Sequence, residues 1–177
     1  MKQLLLIIAL ISILPAACAQ PGNEDIKILL LQQADKMGNA FVTADYPAFA
    51  EFTHPTIVIM MGGKEKMTAE IQRSFELIKS DGVKFEKVTY GIPSKMIQFE
   101  GQLQCTIPQM IDMKVKEGTV TANSVLIAVS MDNGENWYFV DPTGNDIATM
   151  RKVIPTLSPA LTIPVSIDPS FTEAEKN

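Results

Sequence analysis

The chain has 177 residues, 46% hydrophobic and 20% charged, with a formal net charge of −5 and a mean hydropathy of +0.13. That balance excludes a disordered or collagenous chain. A pI near 4.9 without a basic cluster argues against nucleic acid as a partner, because phosphate contacts need concentrated Lys and Arg.

Met1-Lys2 gives a short positive start, and Leu4 to Leu14 is apolar apart from Ser12. Pro15 breaks the run, and the small residues Ala16, Ala17, Cys18 and Ala19 follow. A run of about 11 residues is too short to span a bilayer. Positive start, apolar middle and small-residue end predict a secretory signal peptide over residues 1–19, and so a periplasmic or secreted protein. Two processing routes compete. Ala17-Cys18-Ala19 suits cleavage before Gln20, whereas Ala16-Ala17-Cys18 is similar to the end of a lipobox, which would anchor the chain to a membrane through a lipidated Cys18. Pro15 stands where that motif usually has Leu, so soluble export is favoured. It leaves about 158 residues with a charge near −6, enough for one domain with a full core. Cys105 is then the only cysteine, which excludes an intramolecular disulfide. Its strand-like surroundings, Leu103 to Ile107, predict a buried, inert thiol.

In chain order, residues 23–43 carry helical spacing, with Ile26, Leu29, Leu30, Gln33, Met37, Ala40 and Phe41 on one broad face. Asn23-Glu24-Asp25 suits a helix start. Asp45-Tyr46-Pro47 opens a short helix through Glu51, with Phe49 and Phe52 turned inward. Pro55 to Met61 is a β-branched apolar run closed by Gly62-Gly63 and predicts a strand. Thr68 to Lys79 predicts a third helix whose core side holds Met67, Ile71, Phe75 and Ile78, stopped at Asp81-Gly82. From residue 83 the period becomes two. Strands are expected from Val83 to Tyr90 with a break near Lys87, then over Ser94–Phe99, Leu103–Lys116, Thr119–Met131 and Trp137–Asp141. No helical crossover separates them, so their pairing should be antiparallel. A turn or two of helix over Ile147–Val153 completes a domain spanning 20–154. Residues 155–177, punctuated by Pro155, Pro159, Pro164 and Pro169, read as an extended tail with a polar end. The class is α+β, with the long first helix covering one face of an antiparallel sheet.

This element order resembles the nuclear transport factor 2-like superfamily. Ala44-Asp45-Tyr46 with Phe49 is similar to the junction between its first two helices, Thr53-His54-Pro55 and the run to Gly62-Gly63 to its first strand, and Trp137 to Asp141 to its last. The likeness covers about residues 23–150 and, more narrowly, points to an uncharacterised exported bacterial branch. It implies a cone: a curved antiparallel sheet wrapped round the long N-terminal helix and open at one end. It also implies either a binding or dimerisation module or a small-molecule isomerase, dehydratase or cyclase. The enzymes of the superfamily keep a carboxylate base, or a His and Asp pair, inside the cone. No isomerase-like spacing of Tyr and paired Asp is matched, and the single histidine falls short of the two that scytalone dehydratase-like chemistry wants.

The chemical candidates are few. His54 is the one side chain that ordinarily titrates near neutrality, and acid–base work would pair it with Asp45 or Asp141. The plainer role is a cap or surface residue ahead of Pro55. Ser130-Met131-Asp132-Asn133-Gly134-Glu135-Asn136-Trp137 matches the Asp-box S-x-D-x-G-x-x-W. A sialidase propeller needs several copies, so one copy reads as a structural hairpin with Trp137 over its turn. One His and one mature Cys exclude a thiol-imidazole zinc cluster, and Asp132, Asn133 and Glu135 lack a full calcium loop. Gly62-Gly63-Lys64 has neither the earlier glycine nor the following Ser or Thr of a phosphate loop. No metal and no cofactor are expected. Methionine is frequent in the predicted strands, where it reads first as core filling and second as a surface that accepts varied apolar partners. The sequence therefore favours a binding protein without an assigned reaction, holding a small apolar molecule or a protein partner. Tyr46, Met60, Tyr90, Cys105, Met113 and Trp137 are its candidate lining residues. The strand Ser124–Met131, apolar on both faces, suggests a homodimer.

Overall fold

The computed structural model describes residues 22–164 and 168–174; the segment 1–19 expected to be a signal peptide, with Cys18, lies outside them. Helix α1 (Asn23–Val42) begins one residue later than its cap, Gly22, whose N–H donates to the Asp25 carboxylate. Its buried stripe is Ile26, Leu30, Ala34, Met37 and Gly38, and Leu29 is turned outward. Helix α2 (Tyr46–Glu51) starts as expected: Asp45 Oδ1 accepts from the Ala48 N–H at 3.1 Å, and Pro47 occupies the first turn.

The expected strand over 55–61 is instead a helix, α3 (Pro55–Met60). Before it, the backbone of Phe52 and His54 brackets Phe139, which donates to Phe52 O at 2.7 Å and accepts from His54 N at 3.2 Å. Pro55 cannot extend that ladder because it has no N–H, whereas it fits the first turn of a helix. The His54 imidazole then caps α3 through Nδ1, which accepts from the Thr56 N–H at 3.2 Å. Local chemistry at its start overrides the β-preference of Ile57, Val58 and Ile59. Helix α4 (Lys64–Ser80) begins four residues earlier than expected, directly after Gly63. It turns Met67, Ile71, Phe75 and Ile78 inward, and Lys64 forms an ion pair with Glu51 of α2.

The sheet is built on one long hairpin, β3 (Gln102–Val115) with β4 (Gly118–Ser130), in antiparallel register from Leu103↔Ser130 to Val115↔Gly118. Four short strands flank it, all antiparallel. On β3 lie β1 (Lys84–Tyr90), with a register shift between Phe85 and Lys87, and β2 (Ile97–Phe99), shorter than expected at its start. On β4 lie β5 (Tyr138–Val140) and β6 (Ser170–Glu173). The six-stranded sheet is not closed. Helix α5 (Ile147–Val153) follows β5.

Both faces of the hairpin are covered at its Leu103–Ser130 end. Cys105, Ile107, Leu126 and Ala128 pack with Ile26, Leu30, Ala34 and Met37 of α1. Ile127 and Val129 point the other way, into a second cluster with Met150, Ile154, Leu157 and Leu161. The chain's own C-terminal segment thus covers the face that suggested a second subunit. Gln104 fastens it: fully buried, it donates to Thr156 O at 2.8 Å and accepts from the Ser158 N–H at 2.7 Å. The isosteric Gln104→Met removes both bonds and strands two backbone groups. We expect it to lower the unfolding free energy by about 1–3 kcal/mol, read from urea titrations.

Candidate functional site

The Asp-box hairpin sets one end of the helix–sheet layer. Ser130 Oγ donates to Asp132 Oδ1 at 2.8 Å and accepts from the Gly134 N–H at 2.8 Å. Asp132 accepts from the Asn136 backbone at 2.8 Å and its side chain at 2.7 Å. Burial raises the Asp132 pKa, but these bonds outweigh it and leave the carboxyl below its ordinary value. Gly134 adopts φ +98°, and a Cβ there would stand 2.9 Å from Ile26. Trp137 is buried and donates from Nε1 to Gly134 O at 3.0 Å. Gln33 of α1 clasps the loop, accepting from the Trp137 N–H at 2.9 Å and donating to Glu135 O at 2.8 Å. The motif is a structural clamp between helix and sheet.

Gly38 lets the helix approach β1 so closely that a Cβ would lie 2.9 Å from the Tyr90 hydroxyl and 3.1 Å from Val88 Cβ. Beyond this contact lies a cavity of about 440 Å³, within the range of small-molecule sites. Helices α1 to α5 contribute to its wall, as do β1, β3, β4 and β5. The wall is dominated by Met37, Phe41, Phe49, Met67, Ile71 and Phe139. Polar groups enter from Tyr90 and Gln109 and from the loop after β5, where Asp141, Thr143 and Asn145 stand. Helix α4 is held over the cavity through Phe75, whose ring centroid lies 4.7 Å from that of Phe41 on α1 and 4.9 Å from that of Phe85 on β1. At α3 the wall reaches the surface: Met60 is 63% exposed, and Met61 and Ile59 are exposed beside it.

Of the residues selected from sequence, Tyr90, Met60 and Asp141 line this cavity. Tyr46 is buried against Phe75 instead. Cys105 and Trp137 belong to the packed core, and Met113 sits opposite Phe85 and Val120 in the sheet. Burial pushes the Cys105 thiol up to about 12 and the Tyr90 phenol likewise to about 12, so neither is an anion near neutrality. Asp45 is spent capping α2. Asp141 accepts from the Thr143 N–H at 2.7 Å through Oδ1. The larger part of the wall, on α1, α2 and α4, escaped selection. Those positions carry the same helical apolar period as ordinary core residues.

His54 is 2% exposed and does not line the cavity. Its Nδ1 is committed to the cap, which places the proton on Nε2, and Nε2 has no hydrogen-bond partner among the described residues. His54, Asp45 and Asp141 share no hydrogen bond. These are the residues of the alternative acid–base reading, and His54 is instead engaged in capping α3. Among the described residues no group of three or more His, Cys, Asp and Glu is placed to hold a metal, and no helix is long and apolar enough to cross a membrane.

Burial lowers the His54 pKa from 6.5 to about 4. The unfolded chain binds this proton first, so His54 contributes stability above pH 6.5 that disappears as pH falls through 4. A shift of that size corresponds to about 3 kcal/mol. His54→Asn keeps a capping acceptor without titrating, so the fall in stability between pH 6.5 and 4 should shrink in urea titrations of the variant.

No protein-family model matches this chain, and no curated protein matches it.

Proposed function

We propose that this is an exported binding protein without a reaction of its own, which holds a small apolar molecule in the cavity between α1, α4 and the sheet. The observation that carries this reading is the cavity wall, built from methionine and aromatic side chains and reaching the surface beside α3. Thioether side chains have several low-energy conformations and high polarisability, so such a wall adapts to an apolar guest. The leader over residues 1–19 supports export.

The finer architecture belongs to the same proposal. The long hairpin, with short strands on both sides and α1 across one face, supports a cone of the nuclear transport factor 2-like kind whose interior is the cavity. His54 supports the binding reading over the enzymatic one, because its basic nitrogen is occupied and its ring stands outside the cavity wall. General acid–base work needs such a group within hydrogen-bond reach of the reacting atom.

The test is titration with an environment-sensitive apolar dye. Saturable binding to the purified protein is expected, competed by small apolar molecules. Ile71→Trp places a larger ring on the cavity wall from α4 and should weaken dye binding at least tenfold. Unaltered dye affinity in a folded Ile71→Trp variant would place the dye elsewhere and overturn the reading.

A further inference from the structure

The cavity carries information about its guest beyond apolarity. Among its described lining residues there is no Lys, Arg or His, and Asp141 is the only group that is charged near neutrality. The carboxylate stands at the polar end, where the loop after β5 reaches solvent. Its Oδ1 is engaged by Thr143, and among the described residues Oδ2 accepts no hydrogen bond. The adjoining hollow of about 320 Å³ shares Asp141, adds Asp146 and has no basic residue among its described lining residues. Lys152, whose charge acts on Asp146, lines neither space.

Three of the neutral donors, on Asn145, Gln109 and Thr143, are already engaged, while the Tyr90 and Thr53 hydroxyls donate to no acceptor among the described residues. Asn145 Nδ2 donates to Pro142 O at 2.7 Å, and Gln109 Nε2 is directed at the Tyr90 oxygen at 3.4 Å. The Thr143 hydroxyl is directed at Asp141 O. A carboxylate or phosphate head group at this solvent-facing end would meet no cation among the described lining residues and would face Asp141. An apposed like charge is unfavourable, and an anion drawn deeper into the apolar wall would also lose hydration without compensation. An ammonium group gains the opposite field, and its alkyl or aryl body fills the methionine and phenylalanine wall. Aromatic faces in that wall add no penalty for a cation.

We infer that the cavity selects by charge: it takes a cationic amphiphile, amine beside Asp141 and apolar body inside, and refuses the matching anion. This inference rests on the binding reading above and deepens it.

The experiment is calorimetric or dye-competition titration with decylamine, decanol and decanoate, which share one chain and differ in head group. At low salt the amine should bind about three- to tenfold tighter than the alcohol, as suits one solvent-facing carboxylate. Decanoate should bind at least tenfold more weakly than the alcohol. The amine's advantage should fall as salt is raised. Asp141→Asn retains an acceptor for the Thr143 N–H and should bring the amine-to-alcohol ratio close to one. Decanoate binding as tightly as decanol would overturn the charge selection, as would an amine preference that survives Asp141→Asn. If none of the three binds, the binding reading itself fails, and that result differs from either of the others.

Discussion

The two-sided burial of the β3–β4 hairpin is the constraint on which the rest of the structure depends. At its Leu103–Ser130 end successive residues of β4 alternate between two dry clusters, Leu126 and Ala128 toward α1, Ile127 and Val129 toward the C-terminal segment. A sheet apolar on both faces must be covered on both. Helix α1 covers one, and α5 with residues 154–161 covers the other. The C-terminal segment is thus part of the folded core. Buried Gln104 shows what this costs in sequence: a polar side chain in a central strand, tolerated because both ends of its amide are satisfied by the backbone it holds.

Helix α1 meets the sheet differently along its length. Its first turns, Ile26 to Ala34, pack directly onto Cys105, Ile107 and Trp137, and Gln33 fixes the distance there. Toward its C-terminus, Met37, Gly38 and Phe41 face the cavity. The gap is roofed by α2 and α4, tied to each other by the Lys64–Glu51 pair, with α4 tied to α1 and β1 by the Phe41–Phe75–Phe85 cluster. Offset and edge-on aromatic contacts of this kind are each worth about 0.5–1.5 kcal/mol beyond burial. The wall is thereby held open.

His54 links the edge of the sheet to the surface of the cavity. Its backbone N–H pairs with Phe139 at the free edge of β5, and its ring starts α3, whose Ile57 and Met60 complete the wall. Burial keeps the ring neutral, and the neutral ring is the form that accepts the Thr56 N–H. The histidine that chemistry would first select is used for architecture. The charge at the cavity comes instead from Asp141, on the loop that follows the same strand.

Much of this was legible in the sequence. The α+β class, α1, the Asp45-capped α2, the long hairpin, helix α5 and the inert Cys105 follow from period, caps and turns, which act within a few residues. The Asp-box was also legible, because all its hydrogen bonds but the clasp from Gln33 close within eight residues. The segment 55–60 was misread because its β-branched composition is a weak preference, overridden by Pro55 and by pairing with Phe139 some 85 residues away. Of the cavity wall only Met60, Tyr90 and Asp141 were legible. A helical apolar stripe reads the same whether it meets a packed strand or an open space. Only the tertiary structure decided which apolar residues became core and which became wall: the first turns of α1 meet Cys105, Ile107 and Trp137, whereas around Gly38, where the helix touches β1, side chains face the space roofed by α2 and α4.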